Sequence, residues 1–111
     1  MPKKIMSTWN PEVEFTRKLA KAQVGGGWGG LIDEIYNILE AMPNENVTVT
    51  QVKEKFGGLR FYWEGSIDGE FDLVEDICKK SYYICEECGE PGKARYGGWI
   101  KTLCNKHNEV T

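Results

Sequence analysis

Three cysteines and the chain's only histidine fall into two pairs, Cys85-x2-Cys88 and Cys104-x2-His107, with fifteen residues between them. Thiolate and imidazole are donors that zinc prefers, and a two-residue spacer lets a tight turn aim both side chains of a pair at one cation. The intervening stretch is long enough for a hairpin that brings the pairs together. Four protein donors complete a tetrahedron and leave no open position for water or substrate, so the spacing predicts one structural zinc per chain. Pairing three of the four cysteines with the histidine also favours metal in a reducing compartment over disulfides. The fourth cysteine, Cys78, is an alternative ligand by proximity. The two-pair pattern is complete without it, and its place in an apolar row predicts burial and packing.

Catalytic arrangements find less support. With His107 committed to metal, Cys78 has no histidine base. A zinc deaminase needs a His/Cys-x-Glu element before a Pro-Cys-x2-Cys pair, whereas here Lys79-Lys80 follow Cys78 and Ile84 precedes Cys85. The adjacent carboxylates Asp33-Glu34 and Glu86-Glu87 read as solvated surface. The glycine-rich run from Gly25 to Gly30 lacks the preceding strand and the Gly-Lys-Ser/Thr ending of a phosphate loop, and reads as a flexible connection between helices.

Binding chemistry is concentrated in VTVTQVKEKFGGLRFYW, residues 47–63. Two alternating runs flank Gly57-Gly58, and a turn at those glycines pairs Phe56 with Leu59, Glu54 with Phe61 and Val52 with Trp63 on an apolar face. The opposite face then pairs Lys55 with Arg60 and Lys53 with Tyr62. Like charges across a strand pair repel, which an anionic ligand or partner would relieve; a solvated outer face is the simpler alternative. A rival local reading makes residues 51–56 a short helix capped by Gly57. In the C-terminal segment, Lys93, Arg95 and Lys101 alternate with Tyr96 and Trp99, a mixture that suits stacking on single-stranded nucleic acid. Its four cations outnumber its three carboxylates by one, a weak field, and knuckle packing is the favoured role for both rings.

Other elements must position these groups. Asn10-Pro11 predicts a helix start, with Glu12 and Glu14 in its first turn, Arg17, Lys18 and Lys21 later, and Phe15, Leu19 and Ala22 as its stripe. After the glycines a second helix carries Leu31, Ile35, Ile38, Leu39 and Met42 on one face, and Pro43 closes it. Beyond a turn at Asp68-Gly69, helical spacing returns over 71–84, with Val74, Cys78 and Tyr82 in one row and Leu73, Ile77 and Ile84 beside it. Ala94 to Tyr96 and Trp99 to Leu103 read as short paired strands in a finger spanning 85–107. The expected architecture is one α+β domain over 1–111: two helices, a β-hairpin, a third helix and a zinc ribbon or treble-clef-like finger.

Composition sets the outer limits. With 41% hydrophobic and 28% charged residues, no tract reads as disordered beyond the first and last few positions. The net charge of −3 opposes charge-driven duplex binding, and zinc with three thiolates makes it more negative by one. No apolar run approaches the ~18 residues of a membrane helix and no secretory h-region is present, so a cytoplasmic location is expected.

The chain also resembles a group of small bacterial and bacteriophage zinc-ribbon-like proteins. The resemblance rests on QVKEKFGGLRFYW (51–63), CEECGEPGKARYGGWIKTLCNKH (85–107) and GGWGGLIDEIYNILEAMP (26–43). It implies zinc at Cys85, Cys88, Cys104 and His107 and a bacterial or phage setting, and supplies no activity. Together these readings predict a non-enzymatic, zinc-stabilised binding protein, a regulator or inhibitor acting on a host protein or a small anionic, nucleotide-like ligand through Lys53, Lys55, Arg60 and Tyr62. A nucleic-acid-binding zinc ribbon is the alternative.

Overall fold

A computed structural model describes residues 3–43 and 45–108. The first and last few positions, excepted in the composition reading, include residues 1–2 and 109–111, which lie outside that range. In chain order the described residues form β1 (Met6–Ser7), α1 (Arg17–Ala22), α2 (Gly29–Ala41), β2 (Thr48–Lys55), β3 (Gly58–Glu64), α3 (Glu70–Lys80), β4 (Lys93–Arg95), β5 (Lys101–Leu103) and α4 (Asn105–Asn108). The class is α+β, with one three-stranded sheet in the order β1-β2-β3 and a separate β4-β5 hairpin. β1 runs parallel to β2 and was not foreseen, because a two-residue strand carries no periodicity.

The β2-β3 hairpin excludes a helix over 51–56, but its turn lies one residue earlier than expected. Phe56 and Gly57, both at positive φ (55° and 78°), form the two-residue turn. Lys55 therefore faces Gly58, Glu54 faces Leu59, Lys53 faces Arg60, Val52 faces Phe61 and Gln51 faces Tyr62. The partner of each β2 residue moves by two positions, which preserves the alternation, so the expected side chains still share each face. Gly58 is needed in the strand itself: a Cβ there would collide with the Tyr82 ring, reaching 2.7 Å from Cε1.

The apolar hairpin face builds the core with α2. Leu31, Ile35 and Leu39 are buried as the helical period predicts, and Ile32 and Tyr36 join them, while Ile38 is only half-buried. The Tyr36 ring meets Phe61 edge-on at 5.9 Å, and its hydroxyl donates to the Phe15 carbonyl at 2.5 Å. Burial pushes that phenol upward in pKa, so it remains a donor.

Helix α1 starts later than its Asn10-Pro11 signal. Asn10 instead closes a turn, accepting from the Glu12 N–H through Oδ1 and from the Val13 N–H through its carbonyl. Thr16 is the actual N-cap, taking the Leu19 N–H at 3.0 Å. Ala20, not Ala22, is the buried alanine. Arg17 and Lys21 serve less as dipole partners than as ties to α2: Arg17 reaches Asp33 at 3.0 Å and Glu40 at 2.8 Å, and Lys21 reaches Asp33 at 2.9 Å. These bonds place Asp33 in an ion-pair cluster, and Glu34 pairs with Lys80 at 2.9 Å. In α3, Val74 and Ile77 are buried, whereas Leu73 and Phe71 are each 53% exposed. Its first turn is closed by Glu70, whose carboxylate accepts the Ile67 and Asp68 N–H groups.

Candidate metal centre

The two sequence pairs meet. The donor atoms of Cys85, Cys88, Cys104 and His107 all lie within 4.8 Å of one another, a cluster that could hold a metal ion. Cys88 Sγ and Cys104 Sγ are 3.8 Å apart, Cys85 Sγ and His107 Nδ1 are 3.7 Å apart, and Cys104 Sγ and His107 Nδ1 are 3.1 Å apart. A tetrahedron with metal–sulfur bonds of ~2.3 Å has edges of about 3.8 Å, so the cluster has the size that a single four-coordinate ion requires. A fit of this kind is consistent with a structural zinc.

Backbone geometry aims each pair. Within Cys85–Cys88 the chain turns so that the Gly89 N–H donates to the Cys85 carbonyl at 2.9 Å, with Gly89 at φ +84°. Cys104 joins β5 to α4, and His107 lies within α4 three residues on, about one helical turn away. The strands Lys93–Arg95 and Lys101–Leu103 supply the intervening hairpin, the first one residue earlier than Ala94 to Tyr96 and the second shorter than Trp99 to Leu103. The backbone N–H of His107, then its imidazole, hold the Cys104 thiol below its ordinary value, the direction that metal ligation requires. Cys78 lies outside the cluster, half-buried against the core, where burial pushes its thiol up to about 11.

The glycine run is not a flexible connector. It packs against the Cys85–Cys88 turn. A Cβ on Gly27 would collide with the Cys85 carbonyl and lie 2.5 Å from the Gly89 nitrogen, and one on Gly25 would collide with the Glu86 carbonyl. The Gly27 N–H donates to the Glu86 carbonyl at 2.9 Å, and the fully buried Trp28 indole donates to the Ile84 carbonyl at 2.9 Å. Only a backbone without side chains can approach this closely, which is the physical reason for glycine at positions 25 and 27; a Cβ on Gly26 between them would meet open space. Periodicity cannot report such a contact; the density of glycine around one tryptophan was the available clue.

Glu86 also departs from the solvated-pair reading. It is 6% exposed, and its carboxylate accepts the Thr102 N–H at 3.1 Å. Burial, with Glu54 nearby, raises its pKa despite that bond. Thr102 continues the connection, donating its hydroxyl to the Gly57 carbonyl at 2.6 Å. The hairpin tip, the β5 strand and the Cys85–Cys88 turn are thus joined in one chain of buried hydrogen bonds.

Lys53, Lys55, Arg60 and Tyr62 project from the hairpin face opposite the core. Lys53 sits over the Tyr62 ring at 5.7 Å from its centroid and directly opposite Arg60, while Arg60 reaches the Tyr82 hydroxyl at 3.3 Å. Lys55 lies over Phe56 at 5.5 Å. In the finger, Tyr96 and Trp99 are 81% and 72% exposed, which overturns their expected packing role. A Cβ on Gly97 or Gly98, between them, would meet open space. Among the described residues, no helix is long and apolar enough to cross a membrane. No protein-family model, curated protein or solved structure matches the chain.

Proposed function

We propose that this chain is a non-enzymatic binding protein in which one structural zinc, held by Cys85, Cys88, Cys104 and His107, fixes a ribbon-like finger against a cationic hairpin. The closed four-donor cluster carries the reading. Its donors fill the coordination shell of zinc, so the metal's contribution is folding free energy rather than Lewis-acid chemistry. The partner surface is the outer hairpin face of Lys53, Lys55, Arg60 and Tyr62. Direct opposition of Lys53 and Arg60 costs a few tenths to about 1 kcal/mol, which an anionic group of a host protein or small ligand offsets. The resemblance to bacterial and phage proteins supports a role as a regulator or inhibitor in a bacterial or infected cell.

Native mass spectrometry of protein purified from its own host tests both halves of this reading. One zinc per chain with a co-purifying partner or ligand is the expected spectrum. Lys53→Ala/Lys55→Ala should keep the zinc and the melting temperature while losing the retained species. Retention undiminished in that variant would remove the outer face from the account. The exposure of Tyr96 and Trp99 beside Lys93, Arg95 and Lys101 favours a second reading, stacking on single-stranded nucleic acid. Binding that weakens steeply with salt, and more in Trp99→Ala than in Lys53→Ala/Lys55→Ala, would establish that reading instead.

A further inference from the structure

We infer that the tip of the β2-β3 hairpin docks into the groove between β3 and α3 of a second copy of this chain, so that the protein associates head to tail. The inference goes beyond the outer-face reading and does not depend on it. Phe56 is its first half. This residue holds the first turn position at φ 55°, where glycine or asparagine is favoured, and its ring is exposed and stands outside the core cluster. Lys55 lies over that ring at 5.5 Å, while the Glu54 carboxylate is turned back onto the Gly57 N–H at 2.7 Å. The tip is therefore an aromatic side chain flanked by an ammonium. Its backbone is one that phenylalanine adopts at a cost, and residues held in such conformations gather at binding sites.

The groove is the second half. It encloses about 460 Å³, room for more than one aromatic side chain, and Tyr62, Phe71 and Val74 line it with apolar surface. The bordering segment, residues 64–76, carries Glu64, Asp68, Glu70, Asp72, Glu75 and Asp76 and no lysine, arginine or histidine. Glu70 and Asp72 have local roles, the first closing the initial turn of α3 and the second suiting its dipole. Glu64 and Glu75 have none. Both line the groove and are exposed, and the ion pairs among the described residues join other groups, Arg17, Lys21 and Lys80 with Asp33, Glu34 and Glu40. Arg60, the one cation of the lining, is engaged by the Tyr82 hydroxyl at 3.3 Å. An apolar groove rimmed by unpaired carboxylates is complementary to an apolar anchor beside a cation, and the hairpin tip presents both. The strand Gly58–Glu64 sets the tip and the Glu64 end ~20 Å apart, so a chain cannot fill its own acidic end and the contact joins two copies. Tip and groove are different surfaces, which makes the contact heterologous and leaves one of each free on every pair.

A hairpin tip covers less than the ~1,200 Å² of a stable complex, so the association should be weak, with a dissociation constant of about 0.1–1 mM. Sedimentation velocity of the zinc-loaded full chain should show an average mass that grows with concentration through this range and falls back when salt is added. Phe56→Asn and, separately, Glu64→Lys/Glu75→Lys should each weaken self-association about tenfold without lowering the melting temperature or the zinc content, because all three side chains are exposed. Mixing the two variants is the deciding measurement. Phe56→Asn keeps the groove and Glu64→Lys/Glu75→Lys keeps the tip, so the mixture should form pairs that stop at two chains while either variant alone stays monomeric. A mixture no more associated than its components, or an unaltered chain still monomeric at about 1 mM, would overturn the proposal. So would a monomeric chain whose Phe71 amide shifts in nitrogen-15 spectra on adding the peptide Lys-Lys-Phe-Phe-Lys-Lys, since the groove would then belong to a basic segment of another protein.

Discussion

At Gly27 a single hydrogen in place of a methyl group decides whether two distant segments can touch. A Cβ there would collide with the Cys85 carbonyl and lie 2.8 Å from the Cys88 nitrogen, all backbone atoms of the Cys85–Cys88 turn. Backbone atoms cannot rotate away, so Gly27→Ala should cost about 3 kcal/mol or more and weaken metal retention together with stability. Denaturation curves and metal content of the variant check this; a mild loss with full metal occupancy would show that the turn can retreat. Cys78 makes a contrasting case. Its thiol, pushed up to about 11 by burial, should resist alkylation at pH 8 in the folded protein. Mass counting with iodoacetamide should find at most slow labelling of the loaded chain, three fast additions after chelation and four after denaturation. The sign of the linkage is also fixed. Because the folded pKa exceeds the usual thiol value, Cys78 favours the fold below about 9, and that contribution fades as pH rises towards 11.

The β2-β3 hairpin shows what was legible at the scale of elements. Alternation favoured two strands and gave both faces, because period-two burial is a local property, but the i,i+4 spacing of Val52 and Phe56 left a helix over 51–56 open. The turn position was not legible: Phe56-Gly57 and Gly57-Gly58 are rival two-residue turns, and the observed one is held by distant partners, Thr102 donating to the Gly57 carbonyl and the Leu59 N–H donating to Ser81 Oγ. The same limit explains the late start of α1, where Asn10 had a turn available in place of a cap. Phe56 retains a cost from this solution. It is the one described non-glycine residue at positive φ, and its ring is 63% exposed. Phe56→Asn should stabilise the hairpin by about 0.5–1 kcal/mol, since asparagine tolerates that backbone and little packing is lost. A melting temperature that rises is the expected outcome. A fall would mean that the Phe56 ring, with Lys55 over it, contributes contacts worth more than the strain.

Across the whole molecule, the Cys/His cluster is tied to the main core at points far apart in sequence. The Trp28 indole is anchored on the Ile84 carbonyl, the Gly27 N–H on Glu86, and the Gly57 carbonyl on Thr102, whose own N–H is held by Glu86. The Cys/His pairs themselves were legible because their spacing is a local chemical pattern; these long-range ties were not, because each depends on two segments that carry no mutual signal. Their consequence is that metal loss should not be confined to residues 85–107. Once the Cys85–Cys88 turn loosens, Trp28 loses its acceptor while remaining in an apolar core, and a buried indole without a partner disfavours the native packing by about 1–3 kcal/mol. The Gly57 carbonyl is left in the same position at the hairpin tip. Chelation should therefore lower hydrogen-exchange protection in α2 and at the β2-β3 turn as well as in the finger, and thermal unfolding of the loaded chain should be a single transition followed equally by all three segments. Protection that falls only within residues 85–107, with α2 unchanged, would show that the finger is an independent module and that its hydrogen bonds to the core do not couple their stabilities.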